Sequence, residues 1–184
     1  MTETILVPSL IVLVAACIGA VTDVWKFRVY NVLTVPLMLT GMTYHAVFGG
    51  WEGLTASSLG LLFGFGVLIV PYGLGLMGAG DVKLLAGVGA WLGMPIVVVV
   101  FVVSSLITGL YATILIICRG KLAESWLTIK MILYRFAVLG MYLGKEDLVE
   151  PLSVGVDRRL RVIPFGAMVP LGIVGALIWL SWTR

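Results

Sequence analysis

The sequence predicts an all-α membrane protein, polytopic, with six transmembrane helices in one domain spanning residues 1–184. Three observations carry this expectation. Of 184 residues, 61% are hydrophobic and only 11% are charged, against about 25% charged in an ordinary soluble domain. The apolar residues are gathered into runs that approach or reach the ~20 residues needed to cross a bilayer. Those runs lack the polar–apolar alternation of a barrel strand, whereas a helix satisfies every backbone group within its own segment.

The first segment is Ile5–Val21. The N-terminal stretch has no basic n-region and carries Glu3, so it reads as a retained span rather than a signal peptide. The second and third segments are Val32–Phe48 and Leu54–Met77. The fourth, Val82–Met94, is short: a helix of that length rises about 20 Å, less than the ~30 Å hydrocarbon core. Gly73, Gly75, Gly78 and Gly80 precede it. A glycine-rich break at membrane depth is tolerated only where it faces protein or a watered cavity. Pro95–Cys118 and Ile163–Trp182 complete the set. Gly60, Gly64 and Gly66 in the third segment, and Gly87 and Gly89 in the fourth, are expected to permit close helix packing.

Lysine and arginine placement sets the orientation. With the N-terminus outside, Lys26, Arg28, Arg119, Lys121, Lys130, Arg135, Lys145, Arg158, Arg159 and Arg161 fall in inner loops. Lys83 falls at the inner base of the fourth segment, and only Arg184 is outside. The longest polar stretch, 119–162, is then cytoplasmic. Within it Leu122, Trp126, Ile129, Leu133 and Phe136 fall on one helical face, as in an amphipathic helix lying in the membrane interface.

Several functions are disfavoured. The net charge of +3 comes from short loops and not from one basic face, which argues against a nucleic-acid partner. Cys17 and Cys118 lie inside apolar runs, where they read as buried small hydrophobes. With a single histidine and no CxxC pair, neither a zinc site nor a disulfide framework is expected. His45 reads as a solvated loop residue on the membrane side opposite the glycine-rich break, too far away to serve a hydrolytic serine.

Two aspartates remain. Asp23 follows the first segment and Asp81 opens the fourth, both at the cytoplasmic end in this orientation. A single aspartate at the end of a span is ordinarily interfacial. Two at matched depth, one of them on the flexible Gly78-Ala79-Gly80 hinge, suggest a carboxylate pair. Two close carboxylates share one proton. The ionised member takes a proton from water and the protonated member donates to a peptide carbonyl. The same features also occur in small proton-coupled transporters or, without chemistry, in a membrane assembly subunit. A transporter would be expected to show two halves with paired broken helices, and only one clear break is visible.

Three elements resemble a known family. Gly78-Ala79-Gly80-Asp81-Val82-Lys83 matches the GxGDxK signature of the type IV prepilin peptidases, within the wider GxGD intramembrane aspartyl proteases. Asp23, with Arg28 and Asn31 downstream, is similar to the family's first aspartate segment, although Tyr30 stands where proline is usual. Arg161-Val162-Ile163-Pro164-Phe165-Gly166 is similar to its IPFG-type entry to the last span. The resemblance implies catalytic Asp23 and Asp81, and a site shaped by Gly78, Gly80, Lys83, Arg28, Asn31, Pro164 and Gly166. It implies an inner-membrane endopeptidase that removes short basic leaders from pilin-like precursors, with no metal or organic cofactor. The chain lacks the cysteine-rich segment of the large bifunctional enzymes, so peptidase activity without N-methyltransferase activity is expected. Three uses are open for Lys83: biasing the pair toward ionisation, meeting an acidic residue of the substrate, or snorkelling to headgroups.

Overall fold

A computed structural model describes residues 2–26, 29–73, 77–119, 130, 134 and 165–182. Four helices account for nearly all of them: α1 (Thr2–Lys26), α2 (Asn31–Gly73), α3 (Ala79–Arg119) and α4 (Phe165–Trp182). The all-helical class is therefore as the sequence predicts. Three helices, Asn31–Gly73, Ala79–Leu115 and Phe165–Trp182, are long and apolar enough to cross a membrane, and Val7–Asp23 of α1 is a shorter apolar helix. Four helices, not six, appear among the described residues because two expected boundaries are single-residue breaks. Gly50 has φ 57° and ψ −143°, and Gly93 has φ 74° and ψ 169°. Glycine enters both regions without the steric cost that a Cβ would add.

The chain reverses at each break. Asn31, Leu37 and Gly41 of α2 lie against Lys83, Gly87 and Ala90–Trp91 of α3 in parallel order. Beyond Gly50 the order inverts, and Gly60 and Gly64 meet Gly89 and Leu85. At the turn itself Gly53 sits against the His45 carbonyl, whereas an unbroken helix would hold residues so spaced about 12 Å apart. Beyond Gly93, Phe101 returns to pack on Phe63 at a ring separation of 6.5 Å. A straight helix from Leu85, which already touches Gly64, would have carried Phe101 roughly 24 Å away.

The short segment 79–92 is the centre of the bundle, and every residue from Leu84 to Gly93 is buried. Lipid gives apolar helices little reason to associate, so close approach at small residues does the work. The backbones at Gly60 and Gly89 are so near that a side chain on either would meet the other's carbonyl. Ser104 similarly occupies the space that a side chain at Gly172 would need. The outer faces are apolar and exposed, as at Val32, Leu62, Leu106 and Ile178. Exposed Trp25 and Tyr30 mark one end of the bundle, and exposed Trp51 and Trp182 the other, in the manner of interfacial aromatic belts.

Segment 79–92 ends in protein, and its last carbonyls have partners there. The Trp91 carbonyl would ordinarily accept from residue 95, but Pro95 has no N–H. His45 Nε2–H donates to it instead, at 2.8 Å. The Ser57 hydroxyl donates to the Ala90 carbonyl at 2.6 Å. His45 is thus a half-buried helical residue and not the solvated loop residue expected from sequence, because the break at Gly93 needs a donor from a neighbour. Cys17 and Cys118 also depart from expectation: both are exposed on the outer surface. The amphipathic helix expected around Leu122–Phe136 falls outside the described residues apart from Lys130 and Tyr134.

Candidate active site

Asp81 lies in the first turn of α3. The Gly78 carbonyl accepts from the N–H groups of Asp81 at 3.1 Å and Val82 at 3.4 Å. The Gly78 N–H in turn donates to Asp81 Oδ2 at 3.3 Å. This reciprocal arrangement, a carboxylate three residues into a helix reaching back to the capping residue, is half of a capping box. It occupies one carboxyl oxygen of Asp81 and leaves the other, Oδ1, to turn toward the bundle.

Asp23 reaches the same place from the last turns of α1. The Thr22 hydroxyl, beside it, donates to the Gly19 carbonyl at 2.9 Å. Asp23 and Asp81 are both buried, each 7% exposed. Their meeting point is fixed by Gly166, near the start of α4. A Cβ built on Gly166 would lie 2.9 Å from Asp23 Oδ2 and 2.9 Å from Asp81 Oδ1. The two oxygens are therefore separated by no more than twice that distance. The three helices α1, α3 and α4 converge here, and the absence of a side chain at Gly166 leaves room for the carboxyls.

Two further contacts tie the surroundings together. A Cβ on Gly80 would lie 2.8 Å from Val29 Cβ and 3.0 Å from the Val29 carbonyl, so the start of α3 rests on the chain leading into α2. Lys83 Nζ donates to Asn31 Oδ1 at 2.8 Å. Of the residues expected at the site, Asp23, Asp81, Gly78, Gly80, Lys83, Asn31 and Gly166 are gathered at this end of the bundle. Arg28 and Pro164 fall outside the described residues. Sequence reasoning missed Val29, an apolar residue with no signal of its own, which seats Gly80. Among the described residues no three of His, Cys, Asp or Glu come together, and what meets beside Gly166 is the pair of carboxyls from Asp23 and Asp81.

Comparison with known sequences identifies the family. The profile of the type IV leader peptidase family matches residues 10–113, a stretch that includes both aspartates and the glycine hinge. The chain belongs to the type IV leader peptidase family. Among its relatives is a prepilin leader peptidase/N-methyltransferase of Aeromonas salmonicida (strain A449), 35% identical over 105 residues, which are 53% of this chain and 36% of that protein. The Aeromonas hydrophila protein of the same name matches to the same extent. The Neisseria gonorrhoeae one is 34% identical over 96 residues, 48% of this chain and 33% of its own length. The match thus spans about a third of the length of these relatives. No solved structure matches. Within this type IV leader peptidase family member, Gly166 lies beyond the matched stretch, and its place at the site rests on the contacts described above.

Proposed function

We propose that this chain is a leader peptidase of the cytoplasmic membrane, removing short basic leaders from type IV pilin-like precursors with the Asp23/Asp81 pair. One observation carries the reading: two buried carboxyls from different helices converge within 2.9 Å of one point beside Gly166. Ionisable groups are costly inside a membrane bundle and mark function by default. In an apolar surround two such carboxyls hold one proton between them.

That protonation state suits peptide hydrolysis. The ionised carboxylate takes a proton from water, whose oxygen attacks the scissile carbonyl carbon. The protonated carboxyl gives its proton to the carbonyl oxygen, forming a gem-diol. Collapse of the diol breaks the C–N bond. The departing amine takes the proton that came from water, and a diol hydroxyl reprotonates the second carboxyl. The pair works as a unit, so neither residue owns one role. Acid and base are both supplied by the chain, and we assign the reaction no metal or organic cofactor.

In this reading the breaks at Gly50 and Gly93 divide α2 and α3, giving six membrane segments with the N-terminus outside. The pair then lies at the cytoplasmic interface, two residues before exposed Trp25, where a pilin precursor in the bilayer would present its leader. We assign the chain cleavage and not methylation of the new N-terminus.

Co-expression with a pilin precursor tests all of this. Asp23→Asn and Asp81→Asn are each expected to abolish the size shift of the pilin on an immunoblot while the enzyme remains inserted. Mass spectrometry of the wild-type product should show an unmethylated N-terminus. Normal processing by either variant would defeat the pair, and an added methyl group would defeat the peptidase-only assignment.

A further inference from the structure

The sequence leaves three uses open for Lys83: biasing the pair, meeting an acidic residue of the substrate, or snorkelling to headgroups. The Lys83 ammonium donates to a neutral carboxamide, Asn31 Oδ1, at 2.8 Å. Asn31 opens α2, and Lys83 lies two residues past Asp81 in α3. Three residues before Lys83, Gly80 rests on Val29 closely enough that a Cβ would come within 3.1 Å of the Val29 nitrogen. Two positions on α3 thus grip two positions, Val29 and Asn31, in the chain that continues directly from the helix bearing Asp23.

We infer that Lys83 is a positioning residue: its hydrogen bond to Asn31, with Gly80 as the seat, clamps the α1–α2 connection onto the start of α3 and so sets the spacing of Asp23 from Asp81. The inference rests on the assignment of those aspartates as the reacting pair. The physical need is plain. Helix ends fray within their last turn, Asp23 lies in the last turns of α1, and a misplacement of about 1 Å at reacting groups costs on the order of a hundredfold in rate. A lysine suits the task because its long stem reaches across from α3 and its three donors tolerate small shifts.

The test uses the full chain in membranes, with Cys17 and Cys118 replaced by serine. In the first arm, leader removal from a co-expressed precursor is timed for Lys83→Met, Asn31→Ala and the double variant. All three are expected to slow by the same factor, about 3- to 10-fold for loss of one solvent-accessible bond to a charged donor. The double variant should be no slower than the singles, as for two residues acting through one contact, and the pH profile should not move. The neutral pair Lys83→Gln/Asn31→Gln, with a donor one bond shorter and an acceptor one bond longer, should recover part of the rate.

In the second arm, protein carrying Asp23→Cys and Asp81→Cys is treated with a short bifunctional thiol reagent, a readout that needs no activity. Cross-linking should fall in Lys83→Met and in Asn31→Ala alike. Slowing in Lys83→Met but not in Asn31→Ala, with a displaced pH profile, would overturn the clamp in favour of charge acting on the pair. Undiminished cross-linking in both variants would overturn it as well. No cross-linking in the parent protein would overturn the paired carboxyls beneath it.

Discussion

The central segment 79–92 ends in two different ways. At its far end, the Ala90 and Trp91 carbonyls are satisfied by side-chain donors, Ser57 and His45, borrowed from α2. At its near end, the first turn carries Asp81, with Asp23 brought beside it across Gly166. Asp81 at one end and Ala90 and Trp91 at the other are all buried in the same bundle. The far end shows how this protein closes a helix when closure is all that is needed. Measured against it, two carboxyls at the near end are more than a cap requires: a capping role accounts for one oxygen of Asp81 and for nothing of Asp23. In the proposed reading, this difference marks where stability ends and chemistry begins along one helix.

Substitutions can sharpen that contrast. The largest effect is expected at Gly166. A Cβ there strikes the carboxyl ends of two side chains and not rigid backbone, so Gly166→Ala is accommodated by turning both carboxyls aside. Cleavage should fall by about a hundredfold, while thermal unfolding in detergent reports a loss of only about 1 kcal/mol, the low end for overpacking. A loss confined to stability would blur the two ends together.

Next comes His45→Ala, which strands the Trp91 carbonyl. Stability should drop by about 1–2 kcal/mol, the cost of an unmet buried acceptor in a membrane bundle, with the cleavage rate per folded molecule unchanged. The smallest effect is expected for Ser57→Ala, about 0.6 kcal/mol as for an average interhelical bond in a membrane, again without change in rate. A rate defect in either far-end variant, measured on folded protein, would show that the two ends are coupled.

Much of this was legible in the chain itself. Helices follow from apolar runs in lipid, and the short fourth segment was visible as a run too brief to span. Asp23 and Asp81 stood out because so few charged residues occur near the spans. What was not legible depends on contacts between distant positions. Nothing around His45 announces that it serves a carbonyl 46 residues away, since that need arises from Pro95 and the Gly93 break together. The Lys83–Asn31 bond joins residues 52 apart, and local sequence shows only a basic residue near an interface. Gly166 could be marked by resemblance but not by physics, because its role is to be empty where two other helices meet. Composition likewise shows where apolar runs pause, near Gly49–Gly53, but not that one glycine suffices to reverse the chain.

The central claim is that Asp23 and Asp81 face each other in the folded, membrane-inserted protein. Replacing both with cysteine, in a chain otherwise free of that residue, and oxidising native membranes measures this without recourse to activity. The account predicts rapid, near-complete intramolecular disulfide or short-reagent cross-linking between positions 23 and 81. Failure of the two thiols to join under any oxidant or short reagent, with and without a pilin precursor present, would contradict it.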